Sequence, residues 1–375
     1  MESNQLKKVI FINKVPIRII DQNFNLLGEI DDYESLIFIR RFSQVGEFEL
    51  HINLDKNNVD KLQEDNLILL GAYFNKVGII EHVEKSMSED GKENLVVKGS
   101  TLKGILKRRI TIPPADTAFD RTVGKQETII KQFVNNNAVN TTDKDRIIPN
   151  LIIAEDKKRG KEDGWRTRYE NLSDKVTEIA EYSNLGWDIT LDTNNNKFIF
   201  DVFEGKNLTS EQEQLPPVIF SVDFDNIKNK HFIKSLLNFK NIAYAGGKGE
   251  DEERLIQMIG TAKGLVRRET FIDCSQADDI SELKSMGEHK LQDFKIVNTF
   301  EASIIPYGSF YYQKDWDLGD IVTVIDKKWG VILNTRVVEV KEIYEVGGFN
   351  LEVVFGDHVP NLLDSIKKIS KKEVK

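Results

Sequence analysis

Cysteine is nearly absent: Cys274 stands alone in 375 residues, so no intrachain disulfide can form and no cysteine-based zinc cluster is available. In "RRETFIDCS" its neighbours Asp273 and Ser275 supply no activating base, and it reads as a small core residue. Nowhere is there a run of about 18 apolar residues, so nothing is expected to span a membrane. The opening "MESNQLKKVIFINKVPIRII" lacks an apolar stretch of adequate length before a small-residue cleavage site. It therefore reads as carrying no signal peptide, and synthesis and assembly in a cytoplasm are expected. A positive charge balance is missing too. With a formal charge of −9 and a pI near 5.3, the chain is a poor match to the phosphates of nucleic acid.

Catalytic and ligand-binding signatures are missing in turn. The five histidines, His51, His82, His231, His289 and His358, never lie within five residues of one another, which leaves no helix-borne metal pair. No Gly-x-Ser-x-Gly elbow occurs, and Ser100 in "KGSTLKG" reads as the cap of a following helix. "DTNNNK" spaces Asp192, Asn194 and Asn196 like a calcium loop. Lys197 and Phe203 occupy the positions where such a loop needs glycine and glutamate, so this is a hairpin tip. The most glycine-dense stretch, "YAGGKGEDEER" at 244–254, follows its lysine with glycine and then with Glu250, Asp251, Glu252 and Glu253, acids that repel a nucleotide. Lying between "FKNIAYA" and "RLIQMIG", it reads as a hairpin turn in which glycine supplies positive φ. With 61 acids in the chain, no carboxylate pair singles itself out as glycosidase machinery. Trp165, Trp187, Trp316 and Trp329 are spread out and read as anchors of separate cores. Basic stretches at 107–110, 156–161 and Arg267-Arg268 lack the interleaved aromatics of single-strand binding. No catalytic, cofactor or metal residue is assigned, and the chain is read as a non-enzyme.

What is present is strand. The length predicts two or three domains, and the pattern divides into thirds. In the first, Phe48, Leu50, Ile52 and Leu54 alternate with Glu47, Glu49, His51 and Asn53, which predicts antiparallel sheet with one face buried and one wet. A short helix is expected in "DKNNVDKLQEDN", and one or two turns in "TLKGILKRR". From about 116 the period changes. Ile129, Ile130, Phe133 and Val134 share one helical face; Leu172, Val176, Ile179 and Ala180 share another, in a helix expected to end at Gly186. A hairpin "WDITLDTNNNKFIFDVF" and a polar linker "EGKNLTSEQEQLPP" follow. The last third is again strand-rich, with one helix at about 278–294. The fold expected is β-rich α+β: a β tube-type domain at 1–115, an inserted α/β domain with linker at 116–215, a second β-rich domain at 216–360 and an amphipathic tail at 361–375. In that tail Leu362, Leu363, Ile366 and Ile369 stripe one side while lysines including Lys367, Lys368, Lys371 and Lys372 coat the other, a combination suited to docking a partner.

The segments "IRIIDQNFNLLGEIDDYESLIFIRRFSQVGEFELHINL", "SNLGWDITLD", "KFIFDVFEGKNLT", "DWDLGDIVTV" and "YEVGGFNLEVVFG" resemble, in order and across nearly the whole chain, a family of long-tailed bacteriophage tail proteins. These are the tail-hub or tail-associated proteins, related in fold to the baseplate hub of contractile tails. The resemblance implies two antiparallel β-barrel-like tube domains per subunit with a small α/β domain inserted. It also implies a homotrimeric virion component at the distal end of the tail tube, a pseudo-sixfold ring that adapts the tube to a threefold spike or fibre and gates DNA passage. Expected partners are the distal tail ring or tube protein, the tape-measure protein and the central spike or fibre, with DNA passing without specific binding. An acidic channel wall fits a passing polyanion. Two other classes stay open. A cell-wall or capsule hydrolase would need a paired carboxylate or triad in one cleft; a receptor-binding protein would recognise surface sugars through its tryptophans.

Overall fold

In a computed structural model, which describes residues 14–306 and 308–357, seven strands build the first third. They are β1 (Ile17–Ile20), β2 (Leu26–Ile30), β3 (Ser35–Arg41), β4 (Glu47–Asn53), β5 (Leu67–Leu70), β6 (Val77–Met87) and β7 (Glu93–Thr101). All pair antiparallel, in the order β3-β4-β7-β6-β5-β1-β2. The period-2 pattern sets the register: Leu36 and Phe38 of β3 stand opposite Leu50 and Phe48 of β4, so four apolar side chains meet on one buried face. The segment "DKNNVDKLQEDN" forms only a 3-10 turn at Val59–Lys61, and Leu102–Arg108 is likewise 3-10. The one-face-wet expectation fits β4 but not β5, where every residue of "LILL" is buried. Ile68 and Leu70 join the core of the first third, whereas Leu67 and Leu69 face a second core shared with the middle of the chain.

That middle comprises β8 (Asp120–Lys125), α1 (Gln126–Val134), β9 (Leu151–Ile153), β10 (Glu162–Thr167), α2 (Leu172–Ser183), β11 (Gly186–Asp192) and β12 (Lys197–Phe203). The predicted apolar faces of both helices are fully buried. They pack against β11 and β12 and against Leu102 and Leu106, so a single core runs from the first sheet into the middle segment. α2 starts at Asn171, whose Oδ1 accepts from the amides of Ser173 (3.1 Å) and Asp174 (3.3 Å). It ends two residues before the expected glycine: Asn184 takes the left-handed conformation, φ 54°, and Gly186 opens β11. Asparagine tolerates that conformation, so it can stop a helix where a search for glycine looks further on.

The last third holds β13 (Asn207–Leu208), β14 (Ile219–Ser221), β15 (Ile227–Ser235), β16 (Ile242–Gly246), β17 (Ile256–Ile259), β18 (Glu269–Asp273), α3 (Ile280–Leu291), β19 (Val297–Ile304), β20 (Ile321–Asp326), β21 (Val331–Glu345) and β22 (Gly348–Gly356). The stretch read as a linker is partly strand, since β13 pairs parallel with β20. Strands β16 to β18 form their own three-stranded sheet under α3, with a separate small core, inserted between β15 and β19. Two barrel-like domains are not what the strands make. Among the described residues the sheet is open, running β15-β19-β22-β21-β3 and on through the first third to β2. The cause is β21, fifteen residues long: its first half pairs with β20, and its second lies between β22 and β3. One strand long enough to serve both regions fuses them edge to edge.

Candidate functional site

The fused edge carries a cluster of buried charge. Alternation puts Arg40 on the core face of β3, beyond Leu36 and Phe38, and Glu342 on the core face of β21; the register sets Arg40 opposite Val340 and Glu342 opposite Phe38. Glu342, wholly buried, accepts from Lys76 Nζ at 2.7 Å, from the Tyr312 hydroxyl at 3.0 Å and from the Tyr344 hydroxyl at 2.6 Å. Arg40 Nη1 donates to Tyr312 Oη and to Asp317 Oδ1, both at 2.9 Å. Burial pulls the Lys76 ammonium down while Glu342 holds it up. Burial, with Glu342 beside it, pushes the Tyr344 phenol well above its usual range. A charge is tolerated at this depth only when paired and hydrogen-bonded, and four chain segments must be in place for that. This cluster ties β3, β21, the β5–β6 turn and the segment of Tyr312 and Asp317 together at the seam.

A further buried cation seals the turn between β3 and β4. Lys103 Nζ donates to the carbonyls of Arg41 (2.7 Å), Phe42 (3.1 Å) and Gln44 (3.0 Å) and sits 4.7 Å from the Trp187 ring. Its removal from water lowers its pKa to about 7, with the Asp188 carboxylate opposing the shift. Burial raises Asp188 in turn.

A serine, a histidine and an aspartate do meet where α3 rests on the middle segment. His289 stacks on Trp165 with ring centroids 3.8 Å apart and planes 7° from parallel, and its Nε2 lies 2.9 Å from Asp163 Oδ2 and 3.5 Å from Ser285 Oγ. The same aspartate accepts directly from Ser285, at 3.1 Å. Acyl-transfer triads need serine and aspartate on opposite ring nitrogens, so that the base is oriented from one side and takes a proton on the other. Here both sit on Nε2. Burial lowers the imidazole pKa, Asp163 opposes the shift, and the group fastens α3 in place. Arg166 reaches Glu282 at 2.9 Å, and Arg121 pairs with Asp278, along the same contact.

The residues singled out in the sequence fall as follows. Leu362, Leu363, Ile366, Lys367, Lys368, Ile369, Lys371 and Lys372 lie outside the described residues. The glycine-rich stretch connects β16 to antiparallel β17, with Gly249 at φ 102° and Lys248 paired to Asp278, so its lysine is already committed. Cys274 is buried. In the hairpin tip of "DTNNNK", Asp192 Oδ1 accepts from the amides of Asn194 (3.0 Å) and Asn195 (3.1 Å). Trp165, Trp187 and Trp316 are core residues; Trp329 is half exposed, beneath Lys230. Among the described residues no group of three metal-ligating side chains comes together, and no helix is long and apolar enough to cross a membrane. The sequence reading passed over Arg40 and Glu342, although each breaks an apolar alternation on a core face. That break was the available signal.

The sequence matches the family of Siphovirus ReqiPepy6 Gp37-like proteins over residues 16–357, and the chain belongs to that family of long-tailed phage tail proteins. Among the solved structures that share its fold are three tail proteins. One is the 43 kDa tail protein of prophage MuSo2 from Shewanella oneidensis (TM-score 0.57, 13% identity, covering 91% of this chain and 97% of that one). Another is the tail protein from Neisseria meningitidis MC58 (0.56, 14%, 92% and 97%). The third is prophage tail protein gp18 from Listeria monocytogenes EGD-e (0.54, 11%, 96% and 99%). At these identities the likeness is one of fold. No curated protein matches the sequence at a significant level.

Proposed function

We propose that the protein is the hub at the distal end of a phage tail tube, a homotrimeric ring that joins the sixfold tube to a threefold spike or fibre and through which DNA leaves. Membership of the tail-protein family supports the setting. The observation that carries the reading is the seam: one chain supplies two β regions fused edge to edge through the antiparallel pair β3 and β21. Three copies would then present six β regions to a six-subunit tube, which resolves the symmetry mismatch without a second protein. Partners in this reading are the tube or distal ring protein, the tape-measure protein and the spike. The segment carrying Leu362, Leu363, Ile366, Lys367, Lys368, Ile369, Lys371 and Lys372 is the proposed contact for the spike or fibre. The −9 formal charge, tripled in a trimer, suits a wall that must release a polyanion. Light scattering on the purified chain is expected to give a trimer mass, and electron microscopy a three-subunit ring with a central channel. A stable monomer at micromolar concentration would sink the proposal.

A further inference from the structure

Beside the seam cluster, with which it shares Asp317, three turns border an open groove of about 620 Å³, within the ~300–1,000 Å³ range of small-molecule sites. One wall is the β5–β6 turn, where Tyr73 and Phe74 expose close to half of their surface. A second is the β11–β12 hairpin tip with Thr193 and Asn194, and the third is the segment that carries Gln313 and Asp317. The walls are fixed. Phe74 O accepts from the Leu191 amide at 2.9 Å, tying the first turn to the second. Gln313 N donates to Trp316 O at 2.8 Å, and Gln313 itself holds the left-handed conformation, φ 63°, unusual for a residue other than glycine. Lys76 Nζ sits 4.3 Å from the Tyr73 ring centroid and steadies it.

The lining has a definite chemistry. Among the described residues the side-chain amides of Asn75, Asn194 and Gln313 and the hydroxyls of Thr190 and Thr193 make no hydrogen bond within the protein, yet all border the groove. The carboxylates there are engaged: Asp192 by its own turn, and Asp317 by Arg40 and by the Leu318 amide. No lysine or arginine lines the groove. Amides and hydroxyls both donate and accept, which matches the alternating donors and acceptors of sugar hydroxyls. The half-exposed rings of Tyr73 and Phe74 offer apolar surface of the kind that packs on the C–H face of a pyranose ring. With two carboxylates and no cation in the lining, the groove favours a neutral ligand over an anionic one.

We propose that this groove binds a neutral saccharide of the bacterial surface, with Tyr73 and Phe74 as the stacking platform and Asn75, Asn194 and Gln313 as the hydroxyl readers. It does not depend on the hub assignment. It does replace the tryptophans as the sugar-binding candidates, since three of those are buried. The test is saturation-transfer NMR and calorimetry on the full chain. The probes are neutral hexose oligomers, N-acetylglucosamine oligomers and neutral cell-wall polysaccharide fragments, with an anionic oligosaccharide for comparison. At least one neutral probe is expected to bind at millimolar concentration or better. Tyr73→Ala and Gln313→Ala should each weaken it by about tenfold or more, while Phe271→Ala, on the separate β16–β18 sheet, leaves it unchanged. Because Tyr73 packs near Lys76, Asn75→Ala serves as a second groove variant with an unaltered melting midpoint. Failure of every neutral probe, preference for the anionic one, or binding indifferent to all groove variants overturns the proposal.

Discussion

At the scale of single residues, the structure places its strongest constraints where a charge stands in a strand's apolar row. Glu342 is wholly buried with three donors aimed at it, so removing it strands the Lys76 ammonium, itself only 2% exposed. Leaving one partner of a buried pair unmatched costs about 3–5 kcal/mol. Glu342→Ala is therefore expected to lower the urea midpoint more than the double variant Lys76→Met with Glu342→Leu, which removes both charges and leaves only the neutral Tyr312 and Tyr344 hydroxyls without this acceptor. Lys103 gives a pH signature. Its pKa falls from 10.5 in the unfolded chain to about 7 when folded, so between those values the unfolded chain binds more protons and stability rises with pH. Below about pH 7 both states are protonated and this contribution is flat. Unfolding curves taken from pH 7 upward should show the rise, and Lys103→Met should flatten it.

At the scale of elements, caps and close contacts decide. Asn171→Ala removes the side-chain oxygen that satisfies two amides at the start of α2 and should cost about 1 kcal/mol of stability. In the β16–β18 unit, a Cβ on Gly287 of α3 would come within 2.2 Å of Ile259 Cδ1 and 2.9 Å of Ala245 Cβ. Gly287→Ala should overpack that small core by about 1–3 kcal/mol. The loss should appear in hydrogen exchange of β16, β17 and β18 and leave β3 and β21 unaffected. Both helix faces were legible in the sequence because the 3.6-residue period needs only local information. The stop at Asn184 was not, because which residue ends a helix depends on where the chain must turn to enter β11.

For the whole molecule, the shared strand β21 predicts cooperativity. Far-UV circular dichroism, which samples the strands of the first and last thirds together, and tryptophan fluorescence, which reports the middle and last thirds, should show one coincident unfolding transition. The β16–β18 unit has a core built only from its own residues and meets the middle segment through His289, Arg166 and Arg121, so it should open first in native-state exchange. The sequence by itself determined the strand-rich composition, the two helix faces and the hairpin tips at 192–197 and 246–249. It also excluded a disulfide framework and, by the order of its segments, pointed to the tail-protein family. Each of these rests on periodicity, turn chemistry or residue type within a short window. Only the tertiary structure decided that the two β regions form one open sheet and that Arg40 and Glu342 meet partners from distant turns. It alone gathered the Tyr73, Asn194 and Gln313 turns around one groove. Strand pairing and the meeting of loops are set by long-range packing, and alternation in a single strand carries no record of which edge it will find.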